Sequence, residues 1–280
     1  MRIDFQQSTQ QEKPCHPEAQ SRPFRQSQLK SGSRRLNFRP LLLLAAGIAA
    51  AAAGILLAQR NTVPAGGPQF SSEAAALPAD LSAGDVVPFG RYEQDNDLSN
   101  GPEDITWQVL AVENGRALLI SKYALDAKPY HEKWARTTWE NCTLRKWLNN
   151  GFYASAFNSA EQQQILTVNN KNPDNPVSRI KGGNDTMDQI FLLSFDEIDR
   201  YFDSDEARQC QGTDYAKANG SYLNEYEGNS WWWLRSRGSS SKTAAPVLFS
   251  GYVSEVGYGV NNDGGYVRPA MWLKTVESGS

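Results

Sequence analysis

Three consecutive tryptophans near the C-terminal end constrain the fold of this chain most strongly. Trp231-Trp232-Trp233 opens an apolar stretch that contains Arg235, and a second aromatic stretch, from Gly265 to Leu273, contains Arg268. Tryptophan buries more apolar surface than any other side chain, and neighbours on a strand point to opposite faces. A strand with one buried face accounts for two of the three, so the third covers a neighbouring element or forms a contact surface. The alternative is that all three are core residues.

The first 40 residues differ in composition from the rest of the chain. They carry eight basic and three acidic residues and are rich in Gln, Ser and Pro. A segment with so few apolar side chains cannot offset the conformational entropy lost on ordering. We therefore predict a disordered basic tail over residues 1–40.

Leu41 to Ala58 is a run of 18 residues without a charged or polar side chain. As a helix it would span about 27 Å, close to the apolar thickness of a bilayer. Three arginines precede the run (Arg34, Arg35, Arg39) and only Arg60 follows closely, so the N-terminus is expected in the cytoplasm and the rest outside. A cleaved signal peptide is the alternative, but its apolar region is typically about 7–15 residues. We predict a single-pass cell-membrane protein.

Residues 59–84 are dominated by Pro, Gly, Ser and Ala and predict a flexible linker. All eight tryptophans follow, so residues 85–275 are predicted to form one extracellular domain. Beyond the basic tail the chain has 20 basic and 28 acidic residues, a net charge of −8. That negative charge argues against a nucleic-acid partner.

Periodicity and turn residues within 85–275 predict an α+β fold, with antiparallel strands at both ends and short helices between them. Asn114-Gly115 separates two alternating apolar runs and predicts a hairpin. Residues 261–265 predict a second hairpin, between strands 252–260 and 266–274. Capping patterns at Thr137, Asn158 or Ser159, and Ser194 predict helix starts, with Ile165 and Leu166 carried on the second helix.

The catalytic and metal-binding residue types are sparse beyond the tail. His131 is the one histidine there, so a zinc site is disfavoured and a Ser–His–Asp relay would have to use it. Asp95-x-Asp97-x-Ser99 starts like a calcium loop, but Thr106 stands where the bidentate glutamate belongs, which favours a solvated turn. We predict no cofactor and leave calcium open without support. Paired carboxylates for glycoside hydrolysis are also left open.

The cysteines have different expected states. Cys15 lies in the predicted cytoplasmic tail, where a thiol stays reduced. Cys142 and Cys210 lie in the predicted extracellular domain, where they form either one disulfide or two buried free thiols. Spacing alone does not decide between these states.

The late aromatic and arginine residues are the best candidates for ligand contact. Tryptophan, tyrosine and arginine are enriched at binding hot spots. An arginine in an apolar strand either pairs with a buried carboxylate, stacks on an indole or reaches a ligand. The candidate ligand-binding residues are Trp231, Trp233, Arg235, Tyr252, Tyr258, Tyr266 and Arg268.

Several ordered motifs together resemble a known family. These are Phe89-Gly90-x-Tyr92, Trp139-x-x-Cys142-x-Leu144-Arg145, Phe191-Leu192-Leu193-Ser194, Trp232-Trp233-Leu234-Arg235-Ser236 and Val267-Arg268-Pro269-Ala270-x-Trp272. In this order they resemble the bacterial DUF6273 domain, which is found in secreted or anchored proteins, over about residues 85–275. The ending is also similar to that of C-type-lectin-like domains and relatives of the formylglycine-generating enzyme. This resemblance implies a C-type-lectin-like arrangement of the strands.

The residues favour a binding module over an enzyme. Our first hypothesis is a membrane-anchored extracellular module that binds a carbohydrate, cell-wall or protein ligand through a surface of aromatic and arginine side chains. The second is an extracellular hydrolase of surface polymers that uses two carboxylates. The third is a structural or sensory ectodomain.

Overall fold

The computed structural model describes residues 77–78, 80–220, 225–226 and 228–275. The predicted tail at 1–40, the predicted membrane helix at 41–58 and residues 59–76 of the predicted linker lie outside the described residues. In the part that is described, none of the helices combines the length and the apolar character needed to cross a bilayer.

The first sheet carries the N-terminal strands and closes with the last strand of the chain. Its order is β1 (Val86–Tyr92), β2 (Glu103–Glu113), β3 (Arg116–Ser121), β14 (Ala270–Lys274) and β7 (Ile190–Phe191), all antiparallel. The predicted Asn-Gly hairpin between β2 and β3 is confirmed. Asn114 and Gly115 adopt φ values of 49° and 71°, the left-handed pair that a tight hairpin turn requires.

The second sheet contains the tryptophan motif. Its order is β12 (Tyr258–Gly259), β11 (Thr243–Val247), β10 (Trp232–Arg237), β13 (Tyr266–Val267) and β4 (Asp126–Ala127). Three of its four pairings are antiparallel, whereas β10 and β13 are parallel, with Trp232 opposite Tyr266. The described part also contains two short ladders, β5 (Val168–Asn170) with β6 (Thr186–Asp188), and β8 (Glu225–Tyr226) with β9 (Asn229–Ser230).

The predicted hairpin at residues 261–265 is wrong. Strand β12 pairs with β11, while β13 lies between β10 and β4, so the two strands do not pair with each other. Gly265 allows the chain to enter β13 beside Trp233, because a Cβ at position 265 would lie 1.8 Å from Nε1 of Trp233. Only glycine lets the backbone pass this close to the indole.

Six short α-helices lie between the strands in the described part of the chain. They are α1 (Thr143–Trp147), α2 (Tyr153–Ala156), α3 (Ser159–Gln162), α4 (Phe195–Tyr201), α5 (Asp205–Arg208) and α6 (Asp214–Asn219). A 3₁₀ turn (Trp139–Asn141) precedes α1, and a π turn (Leu148–Phe152) joins α1 to α2. The α+β class with antiparallel sheets and short helices is therefore confirmed.

Two of the three predicted helix starts are confirmed. Asn158 and Ser194 each cap a helix through a reciprocal capping box. Thr137 does not cap a helix. Instead α1 begins at Thr143, and Sγ of Cys142 accepts a hydrogen bond from the backbone of Arg145 at 3.3 Å. The prediction that α3 carries Ile165 is also wrong, because α3 ends at Gln162 and Ile165 bridges to Leu273 in β14.

The core lies between the two sheets and the helices, and tryptophans form its largest members. Trp107, Trp139, Trp232 and Trp233 are all completely buried. The core also includes Leu77 and Leu81 from the predicted linker. These two leucines remove apolar area from water by packing on the domain.

Candidate functional site

Trp231 and Trp233, two of the predicted ligand-binding residues, lie in the core. Their rings meet edge to face with centroids 4.8 Å apart, and Trp231 meets the half-buried Tyr258 at 4.9 Å. Nε1 of Trp233 donates to the carbonyl of Lys128 at 3.0 Å. Both rings thus pack inside the domain, which matches the alternative that all three consecutive tryptophans are core residues.

The other predicted contact residues are dispersed. Tyr266 is buried beside β10, whereas Tyr252 is half exposed and its hydroxyl donates to Glu255 at 3.5 Å. Arg268 is buried, donates from Nε to the carbonyl of Ser121 at 2.9 Å, and stacks 5.0 Å from the ring of Trp232.

The seven predicted ligand-binding residues therefore do not all lie on an exposed surface. Five of them are buried: Trp231, Trp233, Arg235, Tyr266 and Arg268. Buried aromatic and arginine residues make their contacts within the core. The alternation of residues along a strand does not by itself show whether a given face is buried or exposed.

Cys142 and Cys210 are both buried free thiols, so the disulfide alternative is not the state observed. Burial raises the pKa of the Cys142 thiol to about 12 and also raises the pKa of Cys210. A thiol with a raised pKa stays protonated and is a poor nucleophile near neutral pH. Both cysteines therefore have packing and hydrogen-bonding roles here.

Arg235 is buried and forms an ion pair with the partly buried Glu197, the glutamate of the α4 capping box. Its Nη1 donates to Oε2 of Glu197 and, at 2.8 Å, to the carbonyl of Leu192, while Nη2 donates to the carbonyl of Lys171 at 3.0 Å. The same Oε2 accepts hydrogen bonds from the backbone and side chain of Ser194. The pair thus joins β10, α4 and the chain after β5 at one point.

A cleft of about 550 Å³ opens beside this ion pair. We call it the Arg235 cleft. It is formed by the β2–β3 turn, the segment around β5, the first turns of α4, and one residue each from β10 and β14. Its lining residues are Glu113, Arg116, Thr167, Val168, Asn169, Asn170, Lys171, Pro173, Ser194, Asp196, Glu197, Arg200, Tyr201, Arg235 and Trp272.

One wall of the Arg235 cleft is formed by Arg116 and Trp272. The Arg116 guanidinium lies 4.1 Å from the centroid of the Trp272 ring and donates from Nη2 to Glu113 at 2.8 Å. Its Nε is buried and has no acceptor among the described residues. Across the cleft, Asn169 and Arg200 are exposed. The cleft therefore presents hydrogen-bond donors on two sides, with a fixed ion pair at its base.

A buried carboxylate, Asp188, positions the β5–β6 wall of the cleft. Its Oδ2 accepts from Nε1 of Trp139 and Nδ2 of Asn170, each at 3.0 Å, and from the hydroxyl of Thr186 at 2.7 Å. Its Oδ1 accepts from Nε of Arg145 at 2.5 Å. The Trp139-to-Arg145 motif thus orders the wall from which Asn169 and Lys171 line the cleft.

The comparisons with known proteins identify the family of this domain. The family model for a domain of unknown function, DUF6273, matches residues 114–275, which is more than half of the chain. The chain belongs to the DUF6273 family. No curated protein and no solved structure matches it.

The DUF6273 match contains every residue that lines the Arg235 cleft except Glu113. It begins after β2, although β1 and β2 complete the same sheet as β3 and β14. The folded domain therefore also includes residues that precede the matched segment in the chain.

Three carboxylates outside the cleft come together near the sequence pattern considered for calcium. Oxygen atoms of Glu93, Asp95 and Glu103 lie within 4.8 Å of one another. Both oxygens of Asp95 already accept hydrogen bonds, from the backbone of Asp97 and from Asn100, each at 2.8 Å. The predicted solvated turn thus accounts for Asp95, and these local bonds require no bound ion.

Local sequence patterns do not identify most residues of the cleft. The capping pattern marks Glu197, but the ion pair of Glu197 with Arg235 joins residues 38 positions apart. Arg116, Asn169 and Arg200 have no distinctive spacing in the sequence. The apolar setting of Arg235 was the one available signal, since a buried guanidinium needs a partner.

Proposed function

We propose that this protein is a membrane-anchored extracellular module, with a lectin-like arrangement of strands, that binds a polar ligand in the Arg235 cleft. The ligand class is a carbohydrate or cell-wall fragment. A protein segment is the alternative ligand.

The observation that supports this proposal is the construction of the cleft. The Arg235–Glu197 pair, held by Ser194 and by the carbonyl of Leu192, fixes the base. Donors that lie on the two walls, such as Asn169 and Arg116, face an open volume rather than the core. A rigid base with polar groups at its rim is the arrangement that orients a hydroxyl- or amide-rich ligand.

The same geometry favours binding over hydrolysis. A carboxylate-based hydrolase needs one carboxyl group to give up or accept a proton at the scissile bond. Oε2 of Glu197 is engaged by Arg235 and Ser194, and Glu197 also caps α4. Releasing it for proton transfer would break the ion pair with the buried Arg235 and the capping box of α4 together.

Binding is tested with the full chain in detergent against a panel of glycans and cell-wall fragments, by calorimetry. We expect the double variant Asn169→Ala/Arg200→Ala to bind the best ligand at least about tenfold more weakly, since it removes an amide and a cation that both line the cleft. Both side chains are exposed, so the fold should be retained.

The matched control is Asn261→Ala/Lys146→Ala, which removes the same kinds of group at exposed positions outside the cleft. It should bind like the unmodified chain. Failure of the whole panel to bind, or equal affinity of the two double variants, would exclude the cleft as a glycan site.

The membrane location rests on the apolar run at 41–58 and on the arginines before it. We expect protease added to intact cells to remove a C-terminal tag from the chain, while a tag before residue 1 survives until the cells are lysed. Protection of the C-terminal tag in intact cells would contradict the proposed orientation.

A further inference from the structure

A second pocket lies beside Arg237, the last residue of strand β10. It encloses about 450 Å³ and is lined by Arg136, Thr137, Thr138, Asn141, Arg237 and Ser241. We call it the Arg237 pocket. Its six lining residues provide two guanidinium groups, three hydroxyls and an amide, and no carboxylate is among them.

The guanidinium of Arg237 is only partly used by the protein. Nη1 donates to the carbonyl of Lys181 at 2.8 Å, and this is its one side-chain hydrogen bond within the described residues. Nε is buried and has no acceptor there. Buried donors are nearly always paired, so Nε of Arg237 is a donor that the described residues leave unsatisfied.

The unused atoms of Arg237 have a specific geometry. Nε and Nη2 form one edge of the guanidinium, and this edge donates two parallel hydrogen bonds to two oxygens of a carboxylate or phosphate. Since Nη1 is turned to Lys181, the Nε edge is the one left over. No ion pair joins Arg237 to a carboxylate of the described residues. Partial burial lowers the pKa of Arg237, as expected of a cation without an anionic partner.

The backbone around the pocket is well fixed. Asn175 is buried and donates from Nδ2 to the carbonyls of Arg237 at 3.0 Å and Glu255 at 2.9 Å. On the opposite side the backbone of Thr137 donates to the carbonyl of Ser241 at 3.1 Å. The backbone around the pocket is therefore fixed, and because Nε of Arg237 is buried, an anion reaches it only when the neighbouring side chains shift.

We infer that the Arg237 pocket binds an oxyanion, with the Nε–Nη2 edge of Arg237 as its main donor and Arg136 as a second positive charge. Phosphate groups and carboxylate groups share this chemistry. Because the pocket is separate from the Arg235 cleft, this site stands whether or not the cleft binds glycans.

The test is a calorimetric titration of the full chain with sodium phosphate and, separately, with sodium acetate, at constant ionic strength set with sodium chloride. We expect saturable binding of at least one of them. Binding of phosphate alone identifies a phosphate-type ligand, and binding of acetate alone a carboxylate. Absence of saturable binding in both titrations would overturn the inference.

Three variants locate the bound anion. Arg237→Lys keeps the charge and removes the two-donor edge, so affinity should fall at least about tenfold. Arg136→Gln should also weaken binding, and it tests the site even if Arg237→Lys fails to fold, because Arg136 is exposed. Lys133→Gln removes a nearby exposed charge outside the pocket and should leave affinity within about twofold.

An NMR readout reports on the contact itself. The side-chain Nε–H resonance of Arg237, assigned by its loss in Arg237→Lys, should shift on titration with the anion that binds. An unmoved Arg237 resonance, or equal losses of affinity in Arg136→Gln and Lys133→Gln, would overturn the proposed site. Either result would show that the anion is attracted by the overall positive charge of this region and not by the Arg237 pocket.

Discussion

Replacing Trp233 with alanine is expected to destabilise the domain by about 3–5 kcal/mol, the cost typical of truncating a buried tryptophan. Trp233 is completely buried, contacts Trp231 and Tyr130 through its ring, and donates from Nε1 to Lys128. The substitution leaves a cavity and also an unpaired carbonyl. Urea denaturation of wild type and variant measures the loss.

The matched control for this substitution is Trp134→Ala. Trp134 is 54% exposed, so its loss should change the free energy of unfolding by less than about 0.5 kcal/mol. If Trp233→Ala instead unfolds at the same urea concentration as wild type, the packing described for β10 is incorrect. The tryptophans would then again be candidates for ligand contact at the surface.

Replacing Arg235 with methionine is expected to destabilise the domain by about 3–5 kcal/mol, because it leaves Glu197 at the base of the cleft without its partner. For a domain of this size such a loss corresponds to a fall in Tm of about 10 °C. Arg235 is 3% exposed and also satisfies the carbonyls of Leu192 and Lys171, which would lose their donors. Thermal unfolding followed by circular dichroism measures the change.

A double-mutant cycle separates the ion pair from the packing. Glu197→Gln alone should also destabilise, and in the double variant with Arg235→Met the combined loss should be smaller than the sum of the two single losses. The surface pair of Lys181 with Asp174 supplies the comparison, because Lys181 is 85% exposed and Lys181→Met should cost less than about 1 kcal/mol. Additive losses at positions 197 and 235 would contradict a direct interaction.

The features that could be predicted from sequence are those that local physics decides. The Asn114-Gly115 turn needs two left-handed residues, and the Ser194–Glu197 capping box satisfies free backbone donors within one helical turn. The alternation of buried and less buried residues in the first part of β2 likewise follows from a period of two. Each of these predictions depends on residues no more than a few positions apart.

The features that could not be predicted depend on distant partners. Whether Trp231 is core or surface is decided by Tyr258, and the place of β13 is decided by the fit of Gly265 against Trp233. The role of Asp188 is similar, because its partners come from segments up to 49 positions away in the chain. A strand period shows which residues share a face, but not what covers that face.

The most direct test of the proposed binding site is hydrogen–deuterium exchange of the full chain with and without a bound cell-wall glycan. If the ligand occupies the Arg235 cleft, backbone amides at 167–173 and 194–201 should exchange more slowly when it is present, while those at 231–233 and 258–266 should not change. Protection confined to 231–233 and 258–266 would contradict the proposed site and return ligand binding to the tryptophan-rich strands.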